Sequence, residues 1–298
     1  MSVRRMQDTD WEVLMKRIKD GRCTPFLGAG VYSEGPSLRT AVAKKWAAEK
    51  DYPFSDSDDV ASVARFLNVE YGDAEYASGK YVEELSKVKP PNFDDPNEPY
   101  NILAKLPLPI YVTTNYDDMM EQALRKNNRD VKPDLCKWVK SIEDTSPLAE
   151  QDFKPNVANP CVFHLYGYTQ TQQSMIISED DYFQFLINVS KDHTLIPKRI
   201  EQAITGTSLM LLGYSLEDWD FRILFHFLAG YLKNSTSKTH VAVQLSPSAS
   251  DTDLKQRAQA FFDKYFASRS PDIRVSWETT QKFVQMLGDS WQKSGYAT

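Results

Sequence analysis

Two glycines separated by one residue follow a short apolar run near the start of the chain. The run extends from Thr24 to Leu27, and Gly28-Ala29-Gly30 comes directly after it. A strand that leads through such a turn into a helix lets backbone amides approach a pyrophosphate near the helix N-terminus. The third glycine of the dinucleotide fingerprint would stand at position 33, which is Ser33. The segment therefore indicates a diphosphate contact, and a plain tight turn remains the alternative.

Two further segments place an amide, a carboxylate and an imidazole after apolar runs. Asn115 and Asp117 follow the run 109–113, and His164 ends the run that begins at Cys161. An amide both accepts and donates hydrogen bonds, and an imidazole titrates near neutral pH, so such a pair could orient and deprotonate a hydroxyl or a water. Asn or Asp after a strand is commonly a helix cap, and a histidine there is commonly structural. Both interpretations stay open from these residues alone.

A fourth segment, Gly213 to Asp220, follows the apolar run 208–212. Ser215 stands three residues before Asp218, which is the spacing of a capping box with Asp in place of Glu. A capped helix is therefore one interpretation of this segment, and a ligand contact through Gly213 and Ser215 is the other.

All four segments lie where an apolar run gives way to a helical pattern. Apolar runs without polar alternation indicate strands buried on both faces, as in a parallel sheet covered by helices. Amphipathic helices alternate with these runs, which predicts an α/β doubly wound sheet. Ligands bind such sheets beyond the carboxyl ends of the strands, where the four segments stand. The predicted strands are 24–27, 109–113, 161–164, 175–177, 208–212, 240–245 and 273–277.

The segment from about residue 50 to residue 106 breaks this alternation. It has helical patterns and no clear strand pattern, and it ends in a proline-rich link that includes Pro90 and Pro99. We interpret it as a helical insertion or small subdomain within a single domain that covers residues 1–298.

Composition and charge exclude several classes of protein. The chain has 298 residues, is 41% hydrophobic and carries a net charge of −6, which suits a globular protein and disfavours a general nucleic-acid binder. No apolar run reaches the roughly 18 residues of a membrane span, and Met1–Asp10 lacks a signal-peptide pattern, so we expect a cytoplasmic protein without a membrane partner. Cys23, Cys136 and Cys161 are too scattered for a disulfide framework.

The order of the motifs resembles that of the sirtuin-like superfamily. G-A-G after the first strand, T-x-N-x-D after a middle strand, a His-containing glycine turn and a G-x-S-L turn follow each other in sirtuins as they do here. The sequence is more similar to the bacterial NAD-hydrolysing branch used in defence against phage. That branch often has segments like 174–185 and like Gly213-Tyr-Ser-Leu-Glu-Asp-Trp-Asp-Phe-Arg222. The resemblance spans about residues 24–286 and implies a Rossmann-like, mostly parallel sheet with the helical insertion.

The resemblance implies an NAD glycohydrolase that cleaves its substrate NAD into nicotinamide and ADP-ribose. It implies that Asn115 orients the ribose or a water, that His164 accepts a proton, and that Asp117 contacts the nicotinamide carboxamide. The expected catalytic residues are Asn115 and His164, and the expected NAD-binding residues are Gly28, Ala29, Gly30, Asp117, Gly213 and Ser215. The alternatives are an NAD or ADP-ribose sensor module in a larger complex, and an NAD-dependent protein deacylase.

The sequence departs from sirtuin deacylases in three ways. Three scattered cysteines cannot build their four-cysteine zinc module, so we expect no metal. The loop after Gly30 lacks the G-I-P-x-F-R string. In many relatives the histidine directly precedes the glycine, a position that Tyr166 holds here, while His164 lies two residues earlier. Because a shift of two residues keeps a side chain on the same face of a strand, we expect His164 to face the same cleft.

An unrestrained NAD hydrolase would deplete the NAD of its own cell. We therefore expect activity that is gated by assembly and that depletes cellular NAD during phage infection. The expected partners are further copies of the chain in a homo-oligomer and, as the resemblance to the bacterial NAD-hydrolysing branch implies, a companion ATPase of the HerA type, which accompanies some of its members. The proline-rich helical segment and the C-terminal helix are candidate contact surfaces.

Overall fold

Most apolar runs fold as strands and the amphipathic segments fold as helices in the computed structural model. It describes residues 4–31, 37–139, 142, 147–149, 153–214, 219–232, 239–244, 256–257, 259–261, 264 and 272–296. The strands are β1 (Arg4–Arg5), β2 (Cys23–Leu27), β3 (Ile110–Thr113), β4 (Lys132–Leu135), β5 (Cys161–His164), β6 (Ser208–Tyr214), β7 (Thr239–Gln244) and β8 (Asp272–Ser276). The helices are α1 (Asp8–Lys19), α2 (Leu38–Glu49), α3 (Val60–Tyr71), α4 (Tyr76–Leu85), α5 (Pro99–Ala104), α6 (Met119–Lys126), α7 (Glu179–Lys191), α8 (Lys198–Gly206), α9 (Trp219–Leu232) and α10 (Thr280–Lys293).

The eight strands form one sheet in the order β1-β8-β7-β6-β2-β3-β5-β4, and every described pair is parallel. The chain adds β3, β4 and β5 on one side of β2 before it returns to add β6 on the other side. The connections therefore leave β2 in opposite directions, and the crevice at its carboxyl end is where such a sheet binds ligands. The α/β doubly wound parallel sheet predicted from the sequence is confirmed.

Helices cover both faces of the sheet, as the apolar strands require. One face packs against α1, α5, α6 and α10, and the other against α2, α3, α4, α7, α8 and α9. The amphipathic pattern decides which side of each helix turns inward: Leu14, Met15 and Ile18 of α1 are buried. Trp11 on the same helix stacks on Phe283 of α10 with ring centroids 5.2 Å apart.

Residues 175–177 are not a strand, which corrects the prediction. They are almost fully buried, but their backbone bonds to single partners instead of a neighbouring strand: the Ile176 N–H donates to the Tyr166 carbonyl at 2.9 Å, and the Ile176 carbonyl accepts from the Tyr116 hydroxyl. An apolar run reports burial, and here a buried loop produces the same pattern as a strand.

Two of the observed strands, β1 and β4, were not predicted from the sequence. β1 has only two residues, and β4 reads Lys-Pro-Asp-Leu, which has neither an apolar run nor β-branched residues. β4 is an edge strand that pairs with β5 alone, and an edge tolerates Pro133 because one side of the strand needs no hydrogen-bond donors. The other predicted strands match the observed ones within two residues.

The segment 50–106 contains α3, α4 and α5, and none of its residues belongs to a strand. Its helices divide between the two layers, since α3 and α4 pack on the α7 side while α5 packs beside α6 and α10. Its status as an insertion within a single domain stays a prediction. Within the described part of the chain, no helix has the length and apolarity that crossing a membrane requires.

Candidate active site

The turn after β2 packs directly against the end of β6. A Cβ on Gly28 would lie 2.7 Å from both the Gly213 carbonyl oxygen and the Tyr214 ring. Gly213 has a φ of +75°, and a Cβ there would lie 2.4 Å from the Val31 nitrogen. Close backbone contact thus explains both glycines without a ligand. Their contact with a diphosphate stays a prediction, as does that of Ala29 and Gly30.

Asn115 stands two residues beyond β3 and is held by its neighbours. Its side-chain NH₂ donates to the Gly28 carbonyl at 3.2 Å and to the Tyr100 hydroxyl at 3.3 Å, while its backbone N–H donates to Thr113 Oγ1 at 3.0 Å. The side chain is partly exposed. Among the described residues no donor contacts its carboxamide oxygen, which is therefore available to a ligand hydroxyl or a water.

Asp117 precedes Asp118, the N-cap residue of α6, and its side chain binds the first residue of that helix, which is close to the capping role that one of the two interpretations predicted. Its Oδ1 accepts a hydrogen bond from the Met119 N–H at 3.0 Å. Burial raises the pKa of Asp117 to about 6, and the nearby charge of Glu121 adds to this effect. The carboxyl can therefore take up a proton near neutral pH. Its contact with a carboxamide stays a prediction, and capping does not exclude it.

A pocket lies at the carboxyl ends of β2 and β3, beside these side chains. It holds about 580 Å³ of space, part of it open to solvent. Apolar side chains and tyrosines form much of its wall, and Asn115 and Asp117 supply polar groups, which is the usual character of a small-molecule site. It is lined by Ala29, Leu38, Arg39, Tyr81, Leu85, Val88, Thr114, Asn115, Tyr116, Asp117 and Met119.

Arg39 gives this pocket a positive charge that the sequence analysis did not predict. Its guanidinium donates to the Tyr116 hydroxyl at 2.9 Å and to the Tyr182 hydroxyl at 2.8 Å. Among the described lining residues it is the only cation. The sequence offered one signal, since Arg39 lies in the first turn of the helix after the G-A-G loop, where an anionic ligand is expected.

His164 does not reach the pocket wall, contrary to the expectation that it faces the cleft. Its side chain has an exposed fraction of 0%, as has that of Glu121, whose Oε1 lies 2.6 Å from Nε2. Nδ1 lies 3.3 Å from the Asn115 carbonyl oxygen, and the Tyr168 ring stacks on the imidazole with centroids 4.1 Å apart. Its assignment as a catalytic residue stays a prediction. In this arrangement the ring contacts the backbone carbonyl of Asn115, on the side away from the pocket.

The surroundings of His164 set its charge. Burial is the largest influence and lowers the pKa of His164. The charge and hydrogen bond of Glu121, the Asn115 carbonyl and the charge of Asp117 together raise it by more, so the pKa lies above its ordinary value. The ring is therefore charged more readily than a free histidine.

Tyr166 lies on the other face of the sheet, so the expected same-face relation with His164 is wrong. It is fully buried and packs edge-to-face on Tyr182 and Phe185. The reason is that β5 ends at His164, and the chain then turns sharply through Gly167, whose φ is +98°. Strand alternation no longer applies beyond the strand end.

The sequence also did not predict that Glu121 and Tyr100 belong to the site, where Glu121 contacts His164 and Tyr100 contacts Asn115. Glu121 follows Asp117 by four residues where a helix begins, and this spacing could have indicated that the two carboxyl groups lie close together. Tyr100 comes from α5, 15 positions before the Asn115 that it contacts, and no local pattern marks it. Ser215 lies outside the described residues.

The three cysteines are buried in separate places: Cys23 in β2, Cys136 after β4 and Cys161 at the start of β5. Among the described residues no group of three or more His, Cys, Asp or Glu side chains could hold a metal ion.

A comparison with protein families identifies the chain. The model of the SIR2-like domain matches residues 109–268, more than half of the chain, from β3 past Asn115, Asp117 and His164. The chain belongs to the SIR2-like domain family. The chain is also similar to three named proteins.

Two of these relatives are named NAD(+) hydrolase ThsA. The protein from Enterococcus faecium is 25% identical over 217 residues, which cover 70% of this chain and 41% of the relative. The protein from Cytobacillus dafuensis is 24% identical over 229 residues, covering 72% and 40%. Defense-associated sirtuin 2 of Bacillus subtilis is 23% identical over 231 residues, covering 74% and 20%. This SIR2-like chain thus spans about two fifths or less of these relatives, and the predicted resemblance to sirtuin-like defence proteins is confirmed.

Proposed function

We propose that this chain is an NAD glycohydrolase, which cleaves the bond between nicotinamide and ribose to give nicotinamide and ADP-ribose. The observation that carries the proposal is the placement of Asn115. A fixed carboxamide lines the pocket at the carboxyl ends of β2 and β3, where a doubly wound sheet binds nucleotides. The relatives named NAD(+) hydrolase supply the reaction.

The reaction needs orientation and charge stabilisation more than it needs a strong acid. The nicotinamide ring of NAD is a cationic leaving group, and the transition state resembles an oxocarbenium ion. The Asn115 carboxamide oxygen would accept a hydrogen bond from a ribose hydroxyl or from the attacking water. A water oxygen then bonds to the ribose carbon as the bond to nicotinamide breaks, nicotinamide leaves as a neutral molecule, and the attacking water passes one proton to solvent water, to which the pocket is partly open. Asp117 would contact the nicotinamide carboxamide.

The rest of the nucleotide would extend from the pocket along the glycine turns. Gly28, Ala29 and Gly30 would contact the diphosphate, where Arg39 offers a positive charge. Gly213 and Ser215 would lie near the adenosine ribose. His164 supports Asn115 from behind.

Incubation with NAD tests the proposal. The assembled wild-type complex should release nicotinamide and ADP-ribose in equal amounts, with or without an acetyl-lysine peptide, whereas the complex that carries Asn115→Ala should release almost none. Release that requires the peptide would instead indicate a deacylase. NAD binding without any nicotinamide release would indicate a sensor module.

We also propose that activity is gated by assembly and that it depletes cellular NAD during phage infection. Support comes from the relative named Defense-associated sirtuin 2 and from the toxicity of uncontrolled NAD loss. A homo-oligomer, with a companion ATPase of the HerA type, would provide the gate. Nicotinamide release should be compared for the chain alone and for the complex with the ATPase, and cellular NAD should be followed during infection. Equal release by the isolated chain and the complex would contradict the gate.

A further inference from the structure

Both ring nitrogens of His164 face atoms that accept hydrogen bonds. Nδ1 lies 3.3 Å from the Asn115 carbonyl oxygen, and Nε2 lies 2.6 Å from Glu121 Oε1. A carbonyl oxygen has no hydrogen to donate, so Nδ1 must carry the proton of the first bond. A second proton lies between Nε2 and the Glu121 carboxylate. On either atom, it leaves the ring no free lone pair that could take a proton from a hydroxyl or a water.

Burying the carboxylate of Glu121 at this place costs free energy of folding. Its side chain has an exposed fraction of 0%, and among the described residues its Oε2 has no hydrogen-bond partner. The first turn of α6 favours a negative charge, but an unused buried carboxylate oxygen still opposes folding. A buried ion pair is also weak evidence for stability. The contact with His164 explains this carboxylate better than a contribution to stability does.

The ring links this carboxylate to the pocket. The Asn115 carbonyl accepts from His164, while the Asn115 side chain donates to Gly28 and Tyr100. These contacts fix both the backbone and the carboxamide of Asn115. We infer that Glu121 is a positioning residue: it holds the His164 ring so that Nδ1–H fixes Asn115, and the ring takes no proton from the substrate. This inference rests on the proposed NAD cleavage.

The other groups around the ring agree with this assignment. Asp117 adds a negative charge that favours the protonated ring, and its influence acts in the same direction as that of Glu121. Tyr168 covers one ring face by stacking. The ring is therefore enclosed by groups that keep its protons in place, and the pKa of His164 lies above its ordinary value.

Nitrogen NMR of the full chain labelled in its histidines tests the protonation state without any assay of activity. The chain has four histidines, and the signals of the other three are assigned by replacing His193, His226 and His240 one at a time with Gln. At pH 7 the Nδ1 of His164 should carry a proton, and a second proton should lie on Nε2 or be shared between Nε2 and Glu121. A ring whose Nδ1 carries no proton at pH 7 would overturn the inference.

Two conservative variants separate geometry from charge. Glu121→Gln keeps the length of the side chain and lets its amide donate to Nε2, so Nδ1–H can stay on Asn115 without the charge. Glu121→Asp keeps the charge but shortens the reach by one methylene group. If Glu121 positions the ring, Gln should keep kcat for nicotinamide release within about fivefold of wild type, while Asp loses about 10²-fold. KM for NAD should change little in both, because Glu121 does not line the pocket.

The opposite ranking, with Gln losing more than Asp, would mean that the charge supports a general base and would overturn the inference. Two variants as active as wild type would overturn it as well. The carbonyl carbon shift of Asn115 offers a readout without catalysis: it should move in Glu121→Asp and stay close to wild type in Glu121→Gln. If the wild-type complex released no nicotinamide, the proposed function would fail, while this shift and the ring protonation would still decide the positioning.

Discussion

The carboxyl ends of β3 and β5 lie side by side, yet they differ in their access to the pocket. Thr113 and His164 are register partners in the sheet. Two residues beyond Thr113, Asn115 is partly exposed and lines the pocket, whereas His164 is fully buried. The cause is α6, which starts just after β3 and places Glu121 over the imidazole. The end of β3 therefore presents Asn115 to the pocket, while His164 at the end of β5 contacts the Asn115 carbonyl and holds that residue in place.

Asn115→Ala tests the open strand end, and we expect the largest effect here. Nicotinamide release should fall by about two orders of magnitude or more, since an orienting group contributes at least that much. The melting temperature should hardly change, because the side chain is partly exposed. Calorimetry and a nicotinamide assay on the assembled complex measure both quantities. An active Asn115→Ala protein would remove the residue from the reaction.

His164→Ala tests the end of β5, where the side chain is fully buried. Release should again fall by about two orders of magnitude or more, because Asn115 loses its support. Unlike Asn115→Ala, this change leaves the Glu121 charge buried without its partner, which costs about 3–5 kcal/mol of unfolding free energy. The double variant should lose much less activity than the product of the single losses. A melting temperature equal to that of wild type would show that the buried pair is not as described.

Gly30→Val tests the glycine turn beside the pocket. A side chain there would occupy the space where the backbone is expected to approach the diphosphate, so NAD affinity should fall while the protein still melts cooperatively. Isothermal titration with NAD measures the affinity. Gly206→Val is the matched control, because a Cβ on Gly206 has no atom within 4 Å. Normal NAD binding by Gly30→Val would make the turn purely structural.

Asp117→Asn tests the charge of the Asp117 carboxyl group, which lies beyond the end of β3 in the pocket wall. The pKa of Asp117 is raised to about 6 by burial, so the folded state holds this proton more tightly than the unfolded chain does. The contribution of Asp117 to stability should therefore be largest below about pH 4 and should be lost as the pH rises through about 6. Asn keeps the oxygen that accepts from Met119, so the variant should melt like wild type at pH 4.

At pH 7.5 the Asp117→Asn variant should be more stable than wild type by about 1–2 kcal/mol, allowing for partial exposure. That corresponds to a few degrees in melting temperature. Parallel melting curves for the two proteins at both pH values provide the measurement. A difference that stays constant with pH would contradict the raised pKa.

Tyr166→Phe should have the smallest effect of all. Tyr166 packs on Tyr182 and Phe185 across the sheet from His164, and the substitution removes only a hydroxyl. Activity should stay within about twofold of wild type, since the remote side chain does not touch the pocket wall. An inactive Tyr166→Phe beside an active His164→Ala would reverse the comparison between the two strand ends.

Much of the sheet could be predicted because its signals are local. Strands such as β2, β5 and β6 are fully buried and consist mostly of apolar residues, a pattern that burial on both faces of a parallel sheet favours. The same signal failed at residues 175–177, where a loop is buried, and at β4, where an edge strand needs no apolar run. A local pattern reports burial, and only pairing with a second chain segment makes a strand.

The sequence by itself determined the parallel α/β sheet and the placement of Asn115 and Asp117 beyond the end of β3, because strand and helix periodicity act over a few residues. Only the tertiary structure decided that His164 is sealed against Glu121, 43 positions away, and that Asn115 is held by Gly28, 87 positions away. It also decided that Tyr166 turns to the opposite face. Such contacts depend on how the helices pack over the strand ends, and that packing involves residues too far apart in the chain for any short motif to record.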